Sequence, residues 1–418
     1  MSTLVAVAAL TAVVGALAPV QLGVHSVTAA SQGRPKVIVA ERAQPGAAMI
    51  VEFAVGAMDD GQQAGLTRLA QFVLLDANRR WPSAGRVRAL YVADAQLVAA
   101  TRQSRARFVL EGIAPEFNAV AERLLKQLLA PQLDPEELDK ARHRMKHHDG
   151  GAAASDLAAV LAMAARPSYG FSSQPQGERG ILSDITFEQV QAHIKKHFRP
   201  ANATVTITGG ADHARLLRVA RSYRGGDRRP QVRQLQSIVG RYQSWSPFNY
   251  RLVGLSAPLG TAEQAAEMRL LTLILGERVQ HHFRSAGTSY ATSATPVRRP
   301  WASLVLVEVP TLGMSAGKVS KDLEKLLKQT TDEKTLTKDD FEKVRIQLLH
   351  RLRQIDESPI ALAHQLAMNG AGDPWYGPEV LKAVETISVE TFRSHVRPWT
   401  SPDRAAHVVL SPSLSRSL

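Results

Sequence analysis

The feature that most constrains the fold of this chain is an internal repeat. Residues Asp184–Val190 align with Thr386–Phe392 at an offset of 202 residues (386 − 184 = 202). Three identities continue the alignment without a gap: His193 with His395, Pro200 with Pro402 and Ala203 with Ala405. Chance agreement over such a length is rare, so the two regions are expected to fold alike.

A second pair of segments repeats at almost the same distance. Leu133–Arg142 matches Leu336–Arg345 at an offset of 203 (345 − 142 = 203). The two offsets together predict two homologous α+β domains, at residues 34–221 and 238–418. Between them, residues 222–237 begin with a polar stretch rich in Gly and Arg that contains Pro230, which is typical of a linker.

Residues Gly56–Leu75 form a turn followed by an amphipathic helix. Asp59, Asp60 and Gly61 provide the turn residues. From Ala64 onward, apolar residues recur at helical spacing. They are Leu66, Leu69, Ala70, Val73 and Leu74.

The rest of the first half alternates between strand and helix patterns. Strands are predicted at Lys36–Ala40, Met49–Val55, Ala106–Leu110 and Thr204–Thr208, with strand-like pieces within Arg86–Ala100. Helices are predicted at Pro115–Leu129 and Phe187–His197, and from Asp134 as N-cap with Pro135 in the first helical position.

The order of residues in Gly56–Leu75 resembles the active-site helix of the pitrilysin/insulinase metallopeptidases, a family that includes the mitochondrial processing peptidase. Members typically carry a turn, an acidic pair and then Gly-Leu-x-H-x-x-E-H. Placing Gly65-Leu66 on the family's Gly-Leu puts Arg68, Gln71 and Phe72 at the two zinc histidines and the catalytic glutamate. The resemblance implies a tandem of α/β half-domains around a peptide-binding chamber.

The residue types at these positions are unsuited to zinc hydrolysis. Zinc needs neutral imidazoles and a carboxylate with one position left for water. The Arg68 guanidinium offers no lone pair, the Phe72 ring has none, and Gln71 cannot act as a general base. An ordinary core helix with no relation to the family is the alternative interpretation of this segment.

The family's third zinc ligand, a glutamate, is expected at or near His147 or His148, so that position also departs from the pattern. His143 and His147 are four residues apart and share a helix face, which allows a metal in principle. Arg142, Arg144 and Lys146 alternate with them, and such a cluster of cations favours a solvated basic face. No metal is therefore expected in this chain.

The second half contains a segment that resembles the family's substrate-binding arginine and tyrosine. In Leu271–Tyr290, Arg278 falls on the family's first arginine, and Arg284 and Tyr290 fall on the Arg/Tyr pair. In active relatives that pair binds the substrate backbone and stabilises the oxyanion. The spacing here is one residue shorter and Thr288 replaces a leucine, so a simple helix-to-strand turn is the alternative.

Composition limits the partners and the compartment. The net charge is +13, but the basic residues are spread along the chain and no aromatic–basic recognition motif is present, so no nucleic acid is expected. An acidic partner, a peptide or a membrane surface fits the charge at least as well. The chain has no cysteine, which excludes disulfides and thiolate metal sites.

The first residues resemble a secretory leader. Leu4–Val24 carries no charge and is mostly apolar, and Val27–Ala30 has the small residues of a signal-peptidase site. The run is also long enough to remain as a membrane anchor. Residues 1–33 are therefore excluded from the predicted fold. A periplasmic or secreted protein, with the inner membrane as an anchor point, is expected, and mitochondrial location is the alternative.

The resemblance implies a zinc-lacking subunit that pairs with a zinc-bearing homologue, with zinc in the partner and peptide as substrate. Arg284 and Tyr290 would then complete the partner's site. Two alternatives stay open. One is a purely structural subunit like the core proteins of respiratory complex III. The other, disfavoured by the missing ligands, is a stand-alone zinc peptidase.

Overall fold

The structure is a computed structural model. It describes residues 26–28, 33–148, 183–228, 240–245, 249–287, 289, 291–299, 302–311, 316–370, 375 and 379–411. Among these residues no helix is both long and apolar enough to cross a membrane.

The first half is built on a six-stranded sheet whose strand order is β1-β2-β6-β3-β5-β4. The strands are β1 (Ser26–Thr28), β2 (Lys36–Glu41), β3 (Gly46–Phe53), β4 (Gln96–Thr101), β5 (Ala106–Ile113) and β6 (Ala203–Gly209). The described helices are α1 (Leu66–Asp76), α2 (Ser83–Val92), α3 (Glu116–Leu129), α4 (Leu138–His148), α5 (Phe187–His197) and α6 (His213–Ser222).

The second half is built on a five-stranded sheet with the order β7-β11-β8-β10-β9. Its strands are β7 (Gly240–Trp245), β8 (Tyr250–Ser256), β9 (Ser293–Arg299), β10 (Ala302–Pro310) and β11 (Ala405–Ser411). The described helices are α7 (Ala262–Ser285), α8 (Ala316–Thr330), α9 (Lys338–Gln354), α10 (Pro359–Gly370), α11 (Glu379–Thr386) and α12 (Val389–Val396).

Apart from the additional edge strand β1, the two sheets have the same topology, which confirms the predicted tandem of α/β half-domains. In each sheet the last strand lies between two earlier ones: β6 is parallel to β2 and antiparallel to β3, and β11 is parallel to β7 and antiparallel to β8. The repeat offset also aligns two equivalent helix caps. Thr186 caps α5 and Ser388 caps α12, and each side chain accepts a hydrogen bond from the backbone N–H three residues later. The 202-residue repeat is therefore a repeat of structure.

Most predicted elements of the first half are confirmed within a few residues, but the strand-like pieces in Arg86–Ala100 are wrong over most of that range. Residues 83–92 form α2, and only Gln96–Thr101 is a strand. The reason is tertiary: the Arg86 guanidinium is buried and pairs with Asp76 at the end of α1. The apparent alternation of polar and apolar residues in this segment arises because the polar side chain of Arg86 points into the protein.

The folded region also begins earlier than expected from the leader. Ser26–Thr28 lie in the segment that was excluded from the fold, yet they pair with β2 at the edge of the first sheet. An exposed strand edge offers unpaired backbone groups that a short extended segment satisfies at once. The assignment of residues 1–33 as a signal peptide or membrane anchor stays a prediction.

Each half packs helices of its own against one face of its sheet. Alternate residues of β3 (Ala47, Met49, Val51 and Phe53) enter the main apolar core of the first half, together with residues of α1, α3 and α5. The alternation follows from the two-residue period of a strand. The equivalent core of the second half forms between its sheet and α7, α8, α9, α11 and α12.

One helix of the second half packs on the first sheet. Leu362 and Leu366 of α10 contact Ile38 and Ala40, and its neighbouring alanines contact the opposite face of β3. The Thr208 hydroxyl donates to the Pro359 carbonyl oxygen at 2.7 Å, which fixes the start of the helix. This packing joins the two halves through a buried apolar surface.

Beside α10, the same face of the sheet carries a buried ion pair network. Glu52 lies opposite Arg107 in register on the neighbouring strand and binds both Arg105 and Arg107. Arg107 also contacts α10, because its Nη1 lies 3.3 Å from Nδ1 of His364. Burial and the neighbouring arginine lower the pKa of His364, which keeps the imidazole neutral at this contact.

The turn before α1 is held against the β4–β5 hairpin by backbone contacts. Ala57 N–H donates to Arg102 O at 3.0 Å, and Met58 N–H donates to Gln103 O at 2.9 Å. A Cβ atom on Gly56 would lie 2.3 Å from the Gln103 carbonyl oxygen. Only glycine fits here, since any side chain would push the turn away from the hairpin.

We expect Gly56→Ala to destabilise the protein by about 2–3 kcal/mol, because the added methyl group overlaps a backbone oxygen that cannot move independently. Gly85→Ala is the matched control: its nearest atom would be 3.9 Å away, and the residue lies in α2. That substitution is expected to stabilise by up to about 1 kcal/mol. Denaturation midpoints of both variants measure the difference, and a wild-type midpoint for Gly56→Ala contradicts it.

Candidate functional site

The start of α1 is fixed by the buried carboxylate of Asp60. It accepts hydrogen bonds from the backbone N–H of Gly65 and of Thr67, each at 2.8 Å, and from the Thr67 hydroxyl at 2.5 Å. Gly65 precedes the helix in the left-handed conformation, with φ of 92°. A carboxylate at this position satisfies free N–H groups at the helix N-terminus and interacts favourably with the helix dipole.

Thr67 connects this cap to α5. Its hydroxyl oxygen lies 3.0 Å from Nε2 of His193, whose ring lies 4.6 Å from the ring of His197. A hydroxyl has one hydrogen, and the Asp60 carboxylate is its closest acceptor. The tautomer of His193 that fits therefore carries its hydrogen on Nε2 and donates to Thr67.

Burial shifts the pKa of both titratable groups in this network. It raises the pKa of Asp60 to about 6, although the three hydrogen bonds favour the charged form. It lowers the pKa of His193 to about 4, and the neighbouring His197 adds to that effect. The imidazole is therefore neutral at neutral pH while Asp60 is charged.

The Asp60–Thr67–His193 group holds a carboxylate, a hydroxyl and an imidazole, but its geometry does not suit nucleophilic catalysis. The carboxylate binds the hydroxyl and not the imidazole, which is the reverse of the arrangement that orients a histidine base. Thr67 is also fully buried, so no substrate reaches it. The group is structural, and it was missed from sequence because Thr67 and His193 are 126 residues apart.

Gln71 stands at one of the positions expected for zinc chemistry and is used for packing. Its amide nitrogen donates to the Arg107 carbonyl oxygen at 2.9 Å, and its amide oxygen accepts from the Thr101 hydroxyl. Only 1% of the residue is exposed. Both ends of the amide are thus occupied in joining α1 to the β4–β5 hairpin.

Arg68 and Phe72 stand at the two positions of the zinc histidines, and the structure brings them together. The Arg68 guanidinium carbon lies 5.9 Å from the centroid of the Phe72 ring. This separation is within the range of a cation–π contact. Phe72 is otherwise part of the apolar core.

The described residues do not fit a catalytic zinc ion. A guanidinium, a hydrogen-bonded amide and a phenyl ring offer no imidazole or carboxylate ligand on α1. His147 and His148 lie in α4, but their side chains are outside the part of the structure that is described. His143 is exposed, and no group of three potential ligands occurs among the described residues.

The predicted Arg/Tyr pair is described only in part. Arg284 is exposed in the last turn of α7, and Tyr290 lies outside the described residues. Arg278, the other arginine of that segment, donates to Gln329 O at 2.5 Å and to Thr335 O at 2.6 Å. Arg278 therefore holds the connection between α8 and α9, and its role is structural.

The second half contains a counterpart of the Thr67–His193 contact. Nδ1 of His395 lies 2.6 Å from the Glu267 carboxylate, and His395 is the repeat equivalent of His193. Glu267 lies near the start of α7, as Thr67 lies near the start of α1. Burial raises the pKa of Glu267, and the bond to His395 opposes that shift. The repeat thus preserves the contact between helices while the chemistry of the partner changes.

Strand β4 forms an edge of the first sheet next to these residues. Within the described part of the chain it pairs with β5 alone. Gln96 is exposed and Val98 is 44% exposed, while Thr101 at its end binds Gln71 of α1. A strand edge with free backbone groups is a site where an extended peptide can pair.

The network at α1 makes the stability of the protein depend on pH. Folded His193 binds its proton more weakly than the unfolded residue, so its contribution to stability is lost as the pH falls from 6.5 to about 4. Asp60 acts in the opposite direction: its contribution is present at low pH and is lost as the pH rises through about 6. The two effects offset each other between about pH 4 and 6.

His193→Gln removes one of the two titrations while keeping a donor near Thr67. We compare the free energy of unfolding of the variant with that of wild type. We expect this difference to change in favour of the variant by about 2–3 kcal/mol when the pH is lowered from 7 to 4.5. Urea unfolding at both pH values measures it, with His350→Gln, at an exposed histidine, as the control. An equal difference between variant and wild type at both pH values would contradict the assignment.

Comparison with known proteins agrees with the fold. Residues 184–348 match the family model described as the peptidase M16 inactive domain. No curated protein matches the chain.

Solved structures of bacterial proteins share the fold over nearly the whole chain. The peptidase M16 inactive domain from Pseudomonas fluorescens has 15% identity and a TM-score of 0.79, covering 94% of this chain and 99% of its own. A protease from Helicobacter pylori has 13% identity and a TM-score of 0.79, covering 94% of this chain and all of its own (100%).

The periplasmic protease PqqL from Escherichia coli shows how the chain relates to a larger protein. Its first half matches with 12% identity and a TM-score of 0.73, covering 93% of this chain and 92% of that half. Against the whole of PqqL, the match covers 48% of that protein. The family model matched over residues 184–348, the tandem fold and the residues on α1 agree with one another: the chain is similar to the M16 (pitrilysin/insulinase) peptidases and lacks the zinc-binding motif on α1.

Proposed function

We propose that this chain is the non-catalytic subunit of an M16 peptidase and pairs with a zinc-bearing homologue. The observation that carries the proposal is that α1 uses the positions of the zinc ligands for packing. A second, homologous chain would supply the zinc. This chain itself would hold no cofactor.

The subunit would contribute peptide binding. The β4 edge lies beside α1, and its exposed side chains alternate with half-buried ones, as suits pairing with an extended peptide. The two sheets would then face a chamber closed by the partner. Peptide in an extended conformation is therefore the proposed substrate class.

Arg284 is the proposed contribution of this chain to the partner's chemistry, together with Tyr290. An exposed arginine in the last turn of a helix can extend toward a neighbouring subunit. There its guanidinium would donate to the peptide carbonyl oxygen as negative charge develops. This role rests on the resemblance of Leu271–Tyr290 to the family segment.

The periplasm or the outside of the cell is the proposed location. The apolar leader supports it, and a protein of the same fold is described as periplasmic. Retention of the leader would anchor the subunit to the inner membrane. A mitochondrial scaffold remains the competing proposal, and the first experiment below separates the two.

Purification of the tagged chain from its own cells in mild detergent tests the pairing. We expect a near-stoichiometric homologue with an intact H-x-x-E-H motif, identified by mass spectrometry, and zinc in proportion to that partner. Respiratory subunits in its place would support a structural role. Stoichiometric zinc in the isolated chain would overturn the proposal, because it would require ligands that α1 does not supply.

Arg284→Ala in the assembled complex tests the catalytic contribution. Loss of one positioned donor is expected to lower kcat by about a hundredfold, with little change in complex formation. Arg351→Ala, at an exposed arginine of α9, is the control. Peptidase activity of the two complexes gives the result. If both variants retain wild-type activity, Arg284 has no catalytic role and the subunit acts through binding alone.

Val98→Asp tests the peptide site on β4. A charged side chain at this edge is expected to weaken binding of a fluorescent extended peptide by about tenfold, since edge charges oppose strand pairing. Ile346→Asp is the control, because Ile346 is also exposed (59%) but lies on α9. Fluorescence anisotropy measures the affinity. Equal affinities for the two variants would place the peptide elsewhere.

A further inference from the structure

Helix α6 carries a strongly basic outer face. Leu216 and Ala220 point into the first core, while Arg215 and Arg218 lie on the exposed side. From residue 212 to residue 228 the chain has five arginines (215, 218, 221, 224 and 228) and two aspartates (212 and 227). We call the exposed side of residues 213–224 the arginine face.

Part of this charge is neutralised within the fold and part is not. Arg215 pairs with Glu122 of α3 at 2.5 Å. Arg218 and Arg224 are exposed, and neither enters an ion pair within the described part of the chain. Two exposed guanidinium groups without an ion pair in the described residues are available to an external anion.

The position of the arginine face relative to the N-terminal segment indicates which anion. The uncharged run Leu4–Val24 ends two residues before β1, and β1 pairs with β2. Helix α6 packs on β2. At the other end of the helix, Gly225 N–H donates to Gly33 O at 2.8 Å, which ties the segment after α6 to the β1–β2 connection.

We propose that the arginine face of α6 binds the anionic headgroups of a phospholipid membrane. The apolar run joins the sheet at the strand pair on which α6 packs. If that run is in the membrane, the arginine face is held close to the membrane surface, where its effective concentration is high. Each arginine near an anionic surface contributes on the order of 1 kcal/mol.

The lack of cysteine allows a direct test on the full chain. Ser222→Cys places a single fluorescent label at the end of the arginine face, and Ser394→Cys places one on α12 of the second half as the control. The two serines are matched, because both are exposed and each donates its hydroxyl to the carbonyl oxygen three residues earlier. Lipids with spin-labelled headgroups quench a label that lies at the membrane surface.

With the full chain reconstituted in phosphatidylcholine vesicles containing phosphatidylglycerol, we expect quenching of the Ser222 label and not of the Ser394 label. Arg218→Gln/Arg224→Gln is expected to lower the ratio of docked to undocked protein by about thirtyfold at low salt. Arg351→Gln/Arg397→Gln removes the same charge from exposed positions of the second half and should leave it unchanged. High salt should abolish the difference.

Three results would overturn the proposal. One is quenching of the Ser222 label no greater than that of the Ser394 label. Another is equal quenching in vesicles of phosphatidylcholine alone, or in the Arg218→Gln/Arg224→Gln variant. The third is shielding of the Ser222 label only when a partner protein is added, which would assign the face to an acidic protein surface.

Discussion

The hydrogen bonds of the Asp60 carboxylate are the interaction on which the first half depends. One side chain satisfies the free N–H groups of Gly65 and Thr67 at the start of α1 and holds the Thr67 hydroxyl. The helix therefore begins at a fixed residue and at a fixed distance from α5, through His193. Because the carboxylate is buried, losing one of these donors would leave part of its charge without a hydrogen bond, and such a loss is costly.

Because these contacts hold α1 in place, the side chains of α1 that face the β4–β5 hairpin can be of different chemical types. A metallopeptidase needs imidazole and carboxylate ligands there. In this chain an amide, a guanidinium and an aromatic ring occupy the same helix positions, and each has a packing contact. The fold does not require the metal, because the N-terminal cap and the apolar core position α1 without it.

The two halves are joined by α10, which leaves the second half and covers part of the first sheet. Its apolar residues provide the contact, and the network of Glu52 with Arg105 and Arg107 lies beside it. Several of the chain's basic residues lie elsewhere, on the exposed side of α6.

The sequence alone determined the architecture and the loss of the zinc motif. The repeat offset predicted the tandem of half-domains, because equivalent turns, caps and prolines recur at one distance along the chain. Residue types at Arg68, Gln71 and Phe72 were enough to exclude zinc ligands on α1, because ligand chemistry is a property of the side chain.

Only the tertiary structure decided what those side chains do and which distant groups meet. The alternation in residues 86–92 indicated a strand, but burial of Arg86 against Asp76 makes the segment a helix. The contact of Thr67 with His193 spans 126 residues, and α10 packs on a sheet from the other half. Local patterns record which face of an element is apolar, whereas the partner of that face depends on long-range packing that no single segment encodes.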